Sequence, residues 1–351
     1  MEAGSPRPAA SDRLPTAGHS RPLHVRTPLL ESLPLSEIYG QRVYLKMDNV
    51  QPSGSFKIRG MGALCQDAKR KGASKVVIAS GGNAGMAVAY GARQLGMESV
   101  VVIPHNVPHR MVDKLRLEGA RVEVQGNCWD DADERAKEIV AAEGGYYCHP
   151  FDHPLIWAGN ATMVPEMKED LVDQVPAAVV ASVGGGGLVC GLSDGMEAAG
   201  WAQVPIIAVE TRGADSFRAS LRAGNQVTLP RITSIAAALG VRKVCTRILE
   251  LYRTRSIFSM VLSDRLAVDA CNRFADDHRA LVEPACGASL AAVYAARVTQ
   301  MRCQKKLDPE RPLVVVVCGG SAASRQQLEE WTKSVASGAA SPLDRDHSGI
   351  D

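Results

Sequence analysis

Short apolar runs rich in β-branched residues alternate along this chain with stretches whose apolar positions recur every three or four residues. Runs of the first kind lie at 43–46, 76–79, 100–103, 121–124, 178–183, 206–210 and 313–317, and the pattern predicts a strand at each. The helical spacing predicts helices over 84–95, stopped by Gly96, over 110–118, and over 130–142, ended by Gly144 and Gly145. Runs that are apolar throughout belong to strands covered on both faces, so their alternation with helices predicts a mostly parallel α/β architecture. Ligands in such sheets sit beyond the carboxyl ends of the strands. Ser80, Gly184, Glu210 and Cys318 all fall at those ends.

Composition narrows this picture only moderately. The 351 residues suffice for two domains, and 46% hydrophobic content fills a core. Lys+Arg 40 against Asp+Glu 38 leaves a net charge of +2, with no basic tract interleaved with aromatics, so nucleic acid is not an expected partner. No apolar run reaches membrane-spanning length, and no membrane partner is expected. Nine scattered cysteines without C-x-x-C spacing suggest reduced thiols and a cytoplasmic protein. His105/His109 and His149/His153 have the i,i+4 spacing of metal ligands, but Pro108 and Pro150 interrupt the helical face this would need. Arg13, Arg21 and Arg26 give the beginning of the chain a faint look of a transit peptide. Glu2, Asp12 and four prolines before Leu23 argue against a helical one. The Pro-, Ser- and Ala-rich residues 1–22 and the polar residues 336–351 are expected to be a disordered arm and tail.

Four stretches carry candidate chemistry. Pro52 to Gly60 places Lys57 beside Phe56 among small residues, and a lysine there can form a Schiff base if its surroundings depress its pKa. Gly184, Gly185, Gly186 and Gly187 follow a strand and open a helix, where bare backbone N–H groups can converge on a phosphate. A dinucleotide-binding G-x-G-x-x-G register fails here: its last position falls on Val189 or Cys190. Ser80 to Gly85 is a second strand–loop–helix junction whose amides and Ser80 and Asn83 side chains suit a carboxylate or a ring hydroxyl; a capping turn is the plainer alternative. Cys318, before Gly319 and Gly320, is by itself a small buried residue.

Together these stretches resemble the type II pyridoxal-phosphate enzymes, and within them the serine/threonine dehydratases, including the serine dehydratase-like proteins of animals. The likeness runs from about Thr27 to Leu328 and takes in 151–157. It implies two domains, each a mostly parallel sheet covered by helices, with residues 23–58 and 154–335 as the larger and 59–153 inserted as the smaller. It implies pyridoxal 5'-phosphate held covalently by Lys57, with Phe56 against the ring and Gly184 to Gly187 on the phosphate. Asn83 would meet the ring hydroxyl and Cys318 the pyridine nitrogen. Ser80, Gly81, Gly82, Asn83 and Ala84 would bind the substrate carboxylate, with Ser80 and Lys57 the catalytic pair. Glu210, Ala214 and Ser216 match positions that hold a monovalent cation, K+, in relatives. The implied reaction is α,β-elimination from L-serine or L-threonine to pyruvate or 2-oxobutyrate plus ammonia, in a homodimer.

Two departures from the family pattern bear on function. Gly81 stands where racemases of this fold carry a serine working from the opposite ring face. Racemisation is therefore disfavoured, and an alanine there is expected to fill open space beside the substrate. Ser321, Ala322 and Ala323 follow Gly320 where close relatives tend to have asparagines, which is expected to weaken hydrogen bonding near the ring. A racemase or β-replacement enzyme on the same fold, a weakly active or regulatory relative, and a nucleotide-dependent oxidoreductase are the competing readings.

Overall fold

The computed structural model describes residues 21–172 and 174–337. Apart from Arg21, Pro22, Ala336 and Ser337, the expected arm and tail lie outside the described residues. Ala336 closes the helix Arg325–Ala336.

Ten strands form two sheets among the described residues: β1 (Leu29–Glu31), β2 (Val43–Lys46), β3 (Lys75–Ala79), β4 (Glu98–Ile103), β5 (Arg121–Val124), β6 (Tyr146–Tyr147), β7 (Ala178–Ser182), β8 (Ile206–Thr211), β9 (Ile257–Leu262) and β10 (Leu313–Val316). The larger sheet has the order β1-β2-β10-β7-β8-β9 and the smaller the order β5-β4-β3-β6. Every pairing is parallel except β1 with β2, as runs buried on both faces require. All residues of β7, β8 and β10 are buried.

The seven predicted strands and three predicted helices all form, with ends shifted by at most two residues. The unpredicted strands β1 and β6 have three and two residues, too short for a periodic signal. The unpredicted β9 lies at the sheet edge and carries the buried Ser259 among its apolar residues.

Each sheet has its own core. Leu45, Val180, Val209, Val315 and Leu290 belong to one cluster, and Ile78, Val101, Ala87 and Leu64 to another. The helix Lys57–Arg70 buries Ile58, Met61 and Leu64 in the smaller core, while the Lys57 amine reaches Pro150 O, beyond β6. The first turn of that helix is anchored by ions. Arg59, fully buried, pairs with Asp48 at 2.6 Å and Glu166 at 2.7 Å, and Lys46 reaches Glu166 at 2.6 Å.

Candidate active site

The loops after β3, β7 and β10 and the turn before the helix Lys57–Arg70 converge between the two sheets. Backbone bonds stitch two of them together: Phe56 N–H donates to Cys318 O at 3.0 Å, and Gly320 N–H donates to Gly54 O at 2.9 Å. Cys318 Sγ lies 3.6 Å from Ser182 Oγ at the end of β7, just before the glycine run. The sequence separations are 262 and 136 residues, so only the sheet order β2-β10-β7 brings these groups together.

Lys57 opens its helix. Its Nζ lies 5.5 Å from the centroid of the Phe56 ring and donates to Pro150 O at 2.9 Å. Burial pushes its pKa down from 10.5 to about 8, with Cys318 and Glu283 pulling the other way. A lysine at that value has a substantial neutral fraction near physiological pH, which a nucleophile or base requires.

The glycine run forms a tight turn into the helix Gly187–Ala198. Gly186 is left-handed at φ 94°, and no side chain among the described residues caps that helix start. A side chain would clash at three of its four glycines and is tight at Gly184, 3.0 Å from Ala238 O. A Cβ on Gly187 would come within 2.5 Å of Phe151 O, one on Gly186 within 2.9 Å of Cys245 Sγ, and one on Gly185 would enter the Phe151 ring. Phe151 is itself held in place, since Trp157 Nε1–H donates to its carbonyl at 3.1 Å and its ring meets His149 edge-on at 4.7 Å. The His149/His153 pair serves the backbone: His149 Nδ1 accepts from Asp152 N–H at 2.9 Å, and His153 Nδ1 accepts from Leu155 N–H at 3.1 Å.

Within the loop after β3, Ser80 Oγ accepts from Gly82 N–H at 3.4 Å, a local turn that does not cap the helix. Gly82 caps the helix Asn83–Leu95 without a side chain, and Ala84 and Gly85 are buried in its first turn. Two expectations are corrected here. The space beside Gly81 is not open: a Cβ there would lie 2.6 Å from Val107 Cγ2 and 3.2 Å from Ile103 Cγ2. Ser321 does not weaken the local hydrogen bonding either. Its N–H and O–H both donate to Asn83 Oδ1, at 2.8 and 2.7 Å. Asn83 Nδ2–H donates to Glu283 Oε1 at 2.6 Å.

Glu210, Ala214 and Ser216 form a separate cluster beyond β8. Glu210 is fully buried, and burial pushes its pKa up to about 8 although the N–H groups of Arg218 and Phe217 donate to it at 2.9 and 2.8 Å. Ser216 Oγ is buried with no hydrogen-bond partner among the described residues. Val107 and Glu283 escaped the sequence analysis, which marked 151–157 without giving Phe151 a role. Glu283 precedes Pro284 at the start of an apolar helix, so in sequence it reads as a cap.

These residues fit pyridoxal 5'-phosphate on three structural counts. The Lys57 amine is desolvated, the glycine turn leaves helix-start amides bare, and Ser55 Oγ, two residues before Lys57, is buried without a partner among the described residues.

Comparison with known proteins agrees with that fit. A sequence model of the family described as "Pyridoxal-phosphate dependent enzyme" matches residues 21–319. The chain is 50% identical over 287 residues to the L-serine dehydratase/L-threonine deaminase of Homo sapiens, covering 82% of this chain and 87% of that protein. It is 49% identical over 290 residues to the serine dehydratase-like protein of Rattus norvegicus, covering 83% and 88%. Among solved structures, a fungal L-serine ammonia-lyase from Rhizomucor miehei superposes with a TM-score of 0.83 at 39% identity, covering 89% of this chain and 98% of that one.

Proposed function

The chain belongs to the pyridoxal-phosphate dependent enzymes, and from that membership we propose that it is an L-serine/L-threonine ammonia-lyase. It converts L-serine to pyruvate and L-threonine to 2-oxobutyrate, releasing ammonia. The observation that carries this reading is Lys57, a buried amine with its pKa lowered to about 8, held between the Phe56 ring and Pro150 O.

When bound, the cofactor supplies an electron sink for the bond that breaks at the substrate's α-carbon. Lys57 is its attachment point, and the Lys57 amine is the base that takes the α-proton. Phe56 packs against the ring, Gly184 to Gly187 hold the phosphate with backbone N–H groups, Asn83 meets the ring hydroxyl and Cys318 the pyridine nitrogen. Ser80, with the amides of Gly81, Gly82, Asn83 and Ala84, holds the substrate carboxylate and so presents the α-proton to Lys57. Overall, the proton that Lys57 takes leaves with the β-hydroxyl as water, and a second water hydrolyses the freed enamine, through its imine form, to the keto acid and ammonia. Gly81 has no side chain to donate a proton on the other face, which disfavours making a D-amino acid.

The organisation proposed with this function places residues 23–58 and 154–335 in the cofactor domain and 59–153 in the smaller one. The helix Lys57–Arg70 begins at their border. Glu210, Ser216 Oγ and the Ala214 backbone make the proposed K+ site. The protein is read as cytoplasmic, where its nine free cysteines stay reduced, and as a homodimer, as the family likeness implies. The test is keto-acid release by the purified protein from L-serine, L-threonine and their D-forms. The expected result is activity on the L-forms only; no keto acid from either L-form would overturn the proposal.

A further inference from the structure

Glu283 is a buried acid without an assigned task. It precedes Pro284 in the cap position of the helix Pro284–Tyr294, yet its side chain makes no capping bond to that helix. It reaches instead across to the loop after β3, where Oε1 accepts from Asn83 Nδ2–H at 2.6 Å. The chain after β10 makes room for it: a Cβ on Gly320, at φ 141°, would run into the Glu283 carboxyl.

The bonds around Asn83 determine what it can offer. A carboxamide has two N–H donors and an oxygen with two lone pairs. Ser321 fills the oxygen with two donors, and Glu283 takes one N–H. One N–H is left over. Rotating the amide by 180° would set its oxygen against Glu283 and face the Ser321 backbone N–H with an NH2 group, so the network selects one orientation. Asn83 therefore can only donate to a ligand.

We propose that Glu283 is a positioning residue of the cofactor site, fixing the Asn83 amide so that its free N–H donates to the oxygen on the cofactor's ring. This deepens the function proposed above and rests on it. The surroundings of Glu283 keep its acceptor in use. Burial pushes its pKa up to about 7, opposed by Asn83, the Ala322 N–H and Lys57, and an oxygen of either protonation form can accept from Asn83. The other titratable group facing it is Cys271, on the helix Asp264–His278.

The test uses the full-length apoprotein and two probes without an aldehyde to react with Lys57: pyridoxamine 5'-phosphate and its 3-deoxy analogue, which lacks the ring oxygen. Dissociation constants are read by fluorescence titration. The unmodified protein should bind the hydroxylated probe about tenfold more tightly, the value of one well-made hydrogen bond of about 1.4 kcal/mol. Glu283→Ala should bring that ratio to within twofold of one, and Glu283→Gln, which keeps an acceptor, should retain most of it. A merely structural Glu283 would weaken both probes alike and leave the ratio near ten, which would overturn the proposal. A ratio near one in the unmodified protein would overturn it too. Failure of the protein to bind either probe would instead overturn the cofactor assignment. Should Glu283→Ala not fold, Glu283→Met, which fills the same space without an acceptor, decides. Loss of the ratio in it supports the proposal, and a ratio that stays near ten overturns it.

Discussion

Lys57 Nζ donates to the carbonyl of Pro150 at 2.9 Å, and with the ring of Phe56 this fixes the amine in a place that water poorly solvates. The folded value near 8 lies below the ordinary 10.5, so the neutral amine gains ground as pH rises through about 8. The rate at which apoprotein joins pyridoxal 5'-phosphate covalently should rise about tenfold per pH unit below that point and level off above it. Stopped-flow absorbance on apoprotein checks the profile, and borohydride reduction with peptide mapping should place the label on Lys57. A rate still climbing at pH 10, or a label on Lys46, would refute the assignment.

The contact of Gly185 with Phe151 makes the glycine turn sensitive to any side chain. Gly185→Ala must push the Phe151 ring aside, at a cost of about 1–3 kcal/mol in unfolding free energy. Phe151→Ala in the same chain should recover part of it. Gly185→Asp adds a negative charge near the proposed phosphate position and should weaken cofactor binding at least tenfold. Urea unfolding and cofactor titration measure the two effects separately. Unchanged affinity in Gly185→Asp would give the turn some other task.

How far the site could be read from sequence depended on whether its parts leave a local trace. The lysine turn, the glycine run and the strand ends are contiguous, and each carries its physical reason within a few residues. Val107, Glu283 and the ion cluster of Arg59 with Asp48 and Glu166 do not. Glu283 meets Asn83 across 200 residues, and Arg59 meets Glu166 across 107. Such contacts exist only once two sheets are packed, and no periodicity announces them. The predicted gap beside Gly81 failed for the same reason, because its filler lies on the loop after β4.

Gly81 and Val107 form a packed pair, and the pair is testable. Gly81→Ala should destabilise the protein by displacing Val107, and Val107→Ala should do so by removing two methyl groups from a half-buried contact. The double variant should lose less than the sum, with a coupling of about 0.5–3 kcal/mol. Thermal unfolding of the four proteins gives the cycle, and strict additivity would show that the two side chains do not compete for one space. Chiral analysis should find negligible D-serine from the unmodified protein and both single variants.

Glu210 gives the protein a pH-dependent stability that a cation should remove. Its folded pKa, about 8, is raised above the ordinary 4.5 because burial disfavours the carboxylate; Asp215 adds to this, while the Arg218 and Phe217 N–H groups oppose it. The folded state therefore holds a proton that the unfolded chain releases. The resulting stability is complete below about pH 4.5 and is lost as pH rises through 8, at about 1.4 kcal/mol per unit of pKa difference. A cation bound by Glu210, Ser216 Oγ and the Ala214 backbone would favour the carboxylate and lower that pKa. K+ should then raise the melting temperature more at pH 8.5 than at pH 5.5, beyond any rise given by the same concentration of tetramethylammonium. Glu210→Gln removes the ionisation, so both the pH slope and the K+ effect should shrink together. An equal K+ effect at the two pH values, or one that survives in Glu210→Gln, would show that the ion acts elsewhere.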